Sequence, residues 1–286
     1  MLIKDKEMLQ EYLEVNGDLK FDSIKKDLKK ADQLLLLDPL FGIGDEFYAE
    51  LDAIETPEGK EVKLLELLRQ SVADYAYSLW ARMHAVQNSN SGIAVVRTDR
   101  TAPVSDAKLE GIIADKLKSS HQFMELALKY LEKNADDFEA WKNSSAYTIR
   151  KELFISSVDE FDRFCYIERS RIIFMKLRHL ILQGEDELIK PELGDDLYNV
   201  IKAEYQADNL KAVHLPVVEK IQRTLANYAL GKHKKDEDLQ ATAETHQKAL
   251  IDFLRKNQTD YPILPINNTQ GRGEFPNRPE SSQFIF

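Results

Sequence analysis

One short corner sequence occurs twice in this chain, about 150 residues apart. Residues 44–48 are Gly-Asp-Glu-Phe-Tyr and residues 194–198 are Gly-Asp-Asp-Leu-Tyr, and a proline precedes each copy by a few positions. An internal repeat indicates that the chain builds the same structural unit twice. The repeated corner residues are Pro39, Gly44, Asp45, Tyr48, Pro191, Gly194, Asp195 and Tyr198.

The corner residues have predictable structural roles. Asp45 is placed to cap the helix that follows Gly44, and Asp195 is placed to begin the corresponding helix in the second copy. The tyrosines at 48 and 198 are expected to pack their corners and to satisfy their hydroxyls locally. These structural roles account for the acidic residues of the corners without a catalytic function.

Apolar residues at helical spacing follow each corner. In the first copy, a predicted helix at about 105–134 has an apolar stripe, which must face an apolar partner. Its members are Leu109, Ile112, Ile113, Leu117, Phe123, Leu126, Leu128 and Leu131. Helical bundles are the simplest way to bury such stripes.

The length of 286 residues suits two domains of ordinary size. We predict an all-α fold of two tandem, homologous helical bundles, with a short β-hairpin-like insertion in the first and an extended C-terminal arm. The predicted boundaries are 1–150 for the first bundle, 151–264 for the second and 265–286 for the arm.

The first copy has an insertion at about 88–105 that the second copy lacks. Its β-branched residues favour a short hairpin, with residues 97–100 as the turn, although an ordinary long loop is an equal alternative. If the insertion is an exposed contact device, its partner-binding residues are Ile93, Val95, Arg97 and Arg100.

The sequence after Tyr261 is rich in Pro, Asn and Gly and has no helical period. Its apolar end suits addition to a partner's sheet edge, and we favour a partner as the surface that orders it. The alternative is that the segment joins the two copies of its own chain. The predicted partner-binding residues of this arm are Phe275, Phe284, Ile285 and Phe286.

Composition argues against several classes of function. The net charge of −10 disfavours tight binding to nucleic-acid phosphates. A basic run at 232–235 is followed at once by acidic residues 236–238, a mixture typical of a solvated linker. No apolar stretch approaches the ~20 residues of a membrane span, and charges near the N-terminus disfavour a signal peptide.

The residues also form no recognisable catalytic constellation. Cys165 is the single cysteine and is most simply a small core residue. His121 and Glu125 are spaced to share a helix face, as metal ligands sometimes are, but no third ligand is apparent and a solvated pair is the simpler interpretation. We therefore predict no enzymatic activity, no cofactor and no metal site.

Three segments carry a family resemblance: the start at Leu2-Ile3, the helix leading into Pro39, and the corner at 42–51 with its second copy at 193–201. In these segments the chain resembles the helical head-to-tail adaptor (connector) proteins of tailed bacteriophages, in the duplicated form found in phages and prophages of Bacteroidota. The resemblance extends to about Leu264.

This resemblance implies a structural virion protein located in the neck of the particle and assembled in the host cytoplasm. It implies a ring of about a dozen subunits under the portal protein. The ring would contact neighbouring copies of itself and tail or further connector proteins, and DNA would pass through it without specific binding. The alternative is an intracellular helical scaffold that binds a regulatory partner and has no catalytic activity.

Overall fold

The computed structural model describes residues 1–13, 19–84, 86–89, 92–95 and 105–261. The described chain is mostly helical, so the predicted all-α class is confirmed. It divides into two compact units that exchange short segments between residues 153 and 176. The first unit has residues 1–152, 157–162 and 166–176, and the second has residues 153–156, 163–165 and the chain from 177 onward.

The first unit consists of helices and short helical turns. Its elements are α1 (Lys6–Tyr12), α2 (Phe21–Ala31), a π-helical turn (Asp32–Leu36), α3 (Asp45–Ala53), α4 (Lys60–His84), α5 (Asp106–Lys133), a 3-10 turn (Ala135–Asp137), α6 (Glu139–Lys142), α7 (Ser145–Arg150) and α8 (Val158–Asp162). Helix α9 (Arg171–Gly184) begins in this unit and ends in the second.

The long helices α4 and α5 pack along each other and provide much of the core of the first unit. On α4, Leu64, Leu68 and Val72 are fully buried at helical spacing. On α5, Leu128 and Leu131 are fully buried in the same core. Burial of one such side chain contributes about 1.5–3 kcal/mol, so these stripes are the main source of the unit's stability.

The second unit continues from α9 with the same kinds of element. They are a π-helical turn (Glu185–Ile189), α10 (Lys190–Leu193), α11 (Asp195–Gln206), α12 (Leu215–Lys234) and α13 (Glu237–Lys256). Helices α12 and α13 form the long pair of this unit, and Leu225, Leu250 and Leu254 are fully buried on them. The buried Cys165 also belongs to this unit, as expected for a small core residue.

The charged segment at 232–238 is mostly exposed, as predicted, but it is a tight helix junction rather than a linker. Lys235 ends α12 in the left-handed conformation with a φ of 55°. Asp236 caps α13, because its Oδ1 accepts a hydrogen bond of 3.1 Å from the amide of Leu239. Basic residues therefore end one helix and acidic residues begin the next, which suits both helix dipoles.

Two short strands lie in the region of the predicted insertion. Strands β1 (Val86–Ser89) and β2 (Gly92–Val95) pair antiparallel, with Val86 opposite Val95. Ser89 pairs with Gly92 at one end of this pair, whereas the turn was predicted at residues 97–100. Residues 97–100 themselves lie outside the described residues.

Candidate interaction surfaces and repeat corners

The first corner depends on the backbone of Gly44. Its φ of 78° and ψ of 162° lie in a region that is accessible essentially to glycine alone. The carbonyl of Leu36 accepts hydrogen bonds from the amides of Ile43 and Gly44, which closes the loop before α3. Gly44 is the capping residue and Asp45 is the first residue of α3, so the prediction of Asp45 as the cap is wrong by one position.

A buried carboxylate lies behind this corner. Asp32 is 4% exposed, and its Oδ2 accepts a hydrogen bond of 2.8 Å from the hydroxyl of Tyr48. Burial raises the pKa of Asp32 to about 6, although the hydrogen bond from Tyr48 acts in the opposite direction. Burial, and then the neighbouring carboxylate, raise the pKa of Tyr48. The predicted local partner for the Tyr48 hydroxyl is thus confirmed.

The second corner has the same backbone and the same tyrosine contact. Gly194 caps α11 with a φ of 75° and a ψ of 157°, and Asp195 is the first helical residue. The hydroxyl of Tyr198 donates a hydrogen bond of 2.8 Å to Oε2 of Glu185, which is 1% exposed. The local partner predicted for the Tyr198 hydroxyl is therefore confirmed as well.

The buried carboxylate of the second corner has a lysine as its charge partner. The Nζ of Lys202 lies 2.5 Å from Oε2 of Glu185 and 4.0 Å from the centroid of the Phe154 ring. The amide of Phe154 donates to the other oxygen, Oε1, at 2.6 Å. Both oxygens of Glu185 therefore accept hydrogen bonds, Oε1 from a neutral amide and Oε2 from Tyr198 and the charged Lys202, which is what a buried carboxylate requires.

The two prolines lie in different local structures. Pro39 belongs to a turn in which Oδ1 of Asp38 accepts from the amides of Leu40 and Phe41 at 2.8 and 2.9 Å. Pro191 lies in α10, which continues directly from the π-helical turn at Glu185–Ile189. Both prolines precede their corners, but only Pro191 lies within a helix.

The turn at Pro39 is held by Arg171, a fully buried arginine of the first unit. Its guanidinium donates to the carbonyls of Leu40 and Phe41 and to Oε2 of Glu125, each at 2.7–2.8 Å. Burial, and then Arg171, lower the pKa of His121 to about 4, and the His121 ring packs on Phe41 at 5.3 Å. The prediction of a solvated His121–Glu125 pair is therefore wrong, because Arg171 binds Glu125 within the core.

The predicted partner-binding residues lie mostly outside the described part of the chain. Phe275, Phe284, Ile285 and Phe286 of the arm lie beyond residue 261. Arg97 and Arg100 of the insertion also lie outside it. The backbones of Ile93 and Val95 belong to strand β2. These partner-binding roles stay predictions.

An apolar groove on the first unit was not predicted. Leu126 was assigned to the inward stripe of α5, but it is 50% exposed. The groove lies between α4 and α5 and is lined by Lys63, Leu67, Phe123, Leu126, Lys129, Tyr130 and Lys133. The lysines at 129 and 133 follow Leu126 at helical spacing, and this was the available sequence signal that Leu126 lies on a solvated face.

A family described as a family of unknown function (DUF6712) matches residues 37–151 and 232–273, which is more than half of the chain. The matched residues include the first corner and α13 but exclude the second corner. No curated protein and no solved structure matches the chain. Within the described residues, no cluster of three or more His, Cys, Asp or Glu is arranged to hold a metal ion, and no helix has the length and apolarity to cross a membrane.

Proposed function

We propose that this chain, which belongs to the DUF6712 family of unknown function, is a head-to-tail adaptor of a tailed phage or prophage. In this proposal, one helical bundle has been duplicated in tandem, and copies of the chain form a ring under the portal protein. The observation that supports it best is the recurrence of one corner, with the same glycine backbone and the same tyrosine–carboxylate bond, in both units.

The order of elements supports the duplication. In the first unit, α2, a π-helical turn and α3 are followed by the long helices α4 and α5. In the second, α9, a π-helical turn, α10 and α11 are followed by the long helices α12 and α13. Each π-helical turn begins with the buried carboxylate that its corner tyrosine contacts, Asp32 or Glu185. The order of elements in the two units therefore agrees over a longer stretch than the short corner sequence that they share.

The segments that enter the two units also correspond. The carbonyl of Leu2 accepts a hydrogen bond of 3.1 Å from Nε of Arg69 on α4. The carbonyl of Phe154 accepts one of 2.7 Å from Nε2 of Gln222 on α12. The amide of Phe154 also donates to Glu185, the carboxylate at the start of its π-helical turn. The bond between the entering segment and the first long helix therefore recurs at equivalent positions.

An adaptor role fits the physical character of the chain. A net charge of −10 keeps DNA phosphates from adhering to a channel wall. A closed ring uses heterologous interfaces, in which one surface meets a different surface of the next subunit. We assign these contacts to the parts that the two copies do not share, namely the insertion at 88–105 and the arm at 265–286.

Electron microscopy tests the proposal directly. The purified chain is added to portal-bearing capsids of the phage or prophage that encodes it, and the portal vertex is imaged before and after addition. We expect ring-shaped density under the portal. A chain that stays monomeric and never binds these capsids would contradict the adaptor role and favour the alternative of an intracellular scaffold.

A truncation tests the role assigned to the arm. Deletion of residues 267–286 is expected to abolish the joining of capsids to tails while the helical content, measured by circular dichroism, is unchanged. A second variant keeps the full length of the chain and replaces the apolar residues Phe284, Ile285 and Phe286 by serine. If tail joining were unaffected by both changes, the arm would have no role in assembly.

A further inference from the structure

A pocket of the second unit collects basic side chains in an otherwise acidic protein. It lies between α12 and α13, measures about 300 Å³, and is lined by Pro216, Glu219, Lys220, Arg223, His246 and Ala249. The side chains of Lys220 and His246 are half-buried, and that of Arg223 is exposed at the rim. Three of the six lining residues are basic, so the pocket differs from the average surface of a chain with net charge −10.

Aromatic rings hold the cations of this pocket in place. The Nζ of Lys220 lies 5.3 Å from the centroid of the Phe253 ring. The guanidinium of Arg223 lies 5.6 Å from the Phe164 ring, and that of Arg163 lies 5.3 Å from the same ring. Cations that are positioned before a ligand arrives lose less conformational entropy on binding.

The positive charge of the pocket is only weakly neutralised from within. Glu219 is its single acidic lining residue, and Oε1 of Glu219 lies 3.3 Å from Nη2 of Arg223, with both side chains about half exposed. Exposed pairs of this kind contribute about 0–1 kcal/mol. Burial, and then Arg223 and Lys220, lower the pKa of His246, so the cations act on its ring through a net positive potential.

The positions of Lys220, Arg223 and His246 hold no basic residue in the first unit. Aligning α4 with α12 (Tyr75 with Tyr228) and α5 with α13 (Leu131 with Leu254) places Leu67, Gln70 and Phe123 of the first unit at the positions of Lys220, Arg223 and His246. The groove of the first unit at that face is lined by four apolar or aromatic side chains and, at other positions, by Lys63, Lys129 and Lys133. This comparison rests on the proposed duplication, whereas the pocket itself does not. Both helix pairs therefore have basic side chains on this face, but the three positions that form the pocket are basic in the second unit alone.

We propose that this pocket binds a phosphate group, either as free phosphate or as a small phosphomonoester. Two cationic donors, Lys220 and Arg223, beside the His246 ring suit a tetrahedral dianion, which accepts several hydrogen bonds at once. A single carboxylate has fewer acceptor oxygens and one charge. The small volume of the pocket fits one such group with a few attached atoms rather than a polymer.

Calorimetric titration of the full chain with inorganic phosphate tests the proposal, in a buffer whose ionic strength is held constant with chloride. We expect saturable binding at one site per chain. The first unit supplies the variants: Lys220→Leu and Arg223→Gln introduce the residues found at the equivalent positions. Each is expected to weaken phosphate binding at least tenfold. Lys248→Gln removes one positive charge from the exposed side of α13, outside the pocket, and is expected to leave the affinity unchanged.

Further ligands define the class of molecule that binds. A phosphomonoester such as phosphoserine should compete with phosphate if the natural ligand is an ester, and should bind more weakly than phosphate if it is the free ion. Equal binding of acetate, or an equal loss of affinity in Lys248→Gln, would overturn the proposal. A single-stranded oligonucleotide that bound more tightly than phosphate and depended on Lys220 and Arg223 would assign the pocket to a polymer instead.

The experiment is independent of capsid assembly. It uses the isolated chain, so absence of phosphate binding would overturn the pocket assignment and leave the adaptor proposal standing. Failure to bind capsids would have the opposite consequence. Thermal melting of each variant in chloride buffer identifies a loss of fold, and Arg223→Gln, at an exposed position, is the variant least coupled to folding.

Discussion

The hydroxyl of Tyr48 donates a hydrogen bond of 2.8 Å to Oδ2 of Asp32, a carboxylate that is 4% exposed. The two residues are 16 positions apart, and the contact joins the start of the π-helical turn to helix α3. Because a buried carboxylate without donors is costly, the tyrosine stabilises the loop that lies between these elements. The second unit forms the same kind of bond between Tyr198 and Glu185.

Removal of the corner hydroxyl is expected to destabilise the protein. Tyr48→Phe deletes a donor to a buried carboxylate and should lower the free energy of unfolding by about 1–3 kcal/mol. Urea unfolding followed by circular dichroism measures this change. Tyr166→Phe is the matched control because the Tyr166 side chain is 73% exposed, and its effect should stay within about 0.5 kcal/mol. Equal effects of the two substitutions would show that the corner bond does not stabilise the fold.

The same carboxylate predicts a dependence of stability on pH. Burial raises the pKa of Asp32 from 3.8 to about 6, so in the folded state Asp32 holds its proton over a range in which the unfolded chain has lost it. Ionisation then disfavours the folded state. The contribution of Asp32 to stability is therefore greatest below about pH 4 and is lost as the pH rises to about 6, a difference of about 3 kcal/mol.

Asp32→Asn removes this titration and tests it. The free energy of unfolding of the variant, relative to wild type, should rise by about 3 kcal/mol between pH 4 and pH 7. Asp45→Asn, at an exposed position of the same corner, is the control, and its difference from wild type should vary by less than about 1 kcal/mol. Parallel pH profiles for wild type and Asp32→Asn would contradict the assignment of a raised pKa to this carboxyl.

The sequence predicted the helices and the corners well because both depend on local patterns. The apolar stripe at about 105–134 corresponds to α5 at Asp106–Lys133. The Gly-Asp pairs identified the starts of α3 and α11 because only glycine adopts the backbone that precedes them. The stripe did not show that Leu126 is half exposed. Helical spacing identifies the apolar face of a helix, but it does not show how much of that face the neighbouring helices cover.

The buried charges could not be predicted from the sequence. Glu185 and Lys202 are 17 positions apart, and glutamate and lysine lie at the surface in most proteins. Their pairing depends on how the π-helical turn and α11 pack together, which is a tertiary property. The same holds for Arg171 and Glu125, whose contact spans 46 positions. Spacing alone suggested instead that Glu125 pairs with His121.

Loss of the lysine at the second corner should be more damaging than loss of a surface lysine. Lys202→Met leaves Glu185 buried without its cationic partner and is expected to cost about 3–5 kcal/mol of unfolding free energy. Lys190→Met is the matched control, since Lys190 and its partner Asp195 are 42% and 79% exposed and their pair contributes about 0–1 kcal/mol. Adding Glu185→Gln to Lys202→Met should recover part of the loss. If the double variant were no more stable than Lys202→Met, the buried charge would not be the cause.

Replacing either repeated glycine by alanine should lower the stability of the protein, whereas the same substitution at a control glycine should raise it. Gly44→Ala and Gly194→Ala force a side chain onto a backbone with φ near 75–78°, and each should lower the free energy of unfolding by about 1–3 kcal/mol. Gly111 lies within helix α5, and no atom lies within 4 Å of the position that an added Cβ would occupy. Gly111→Ala should therefore raise stability by about 0.5–1 kcal/mol through the higher helix propensity of alanine. Thermal unfolding of the three variants measures the sign of each change. If Gly194→Ala alone left the stability unchanged, alanine would be tolerated at the second corner but not at the first.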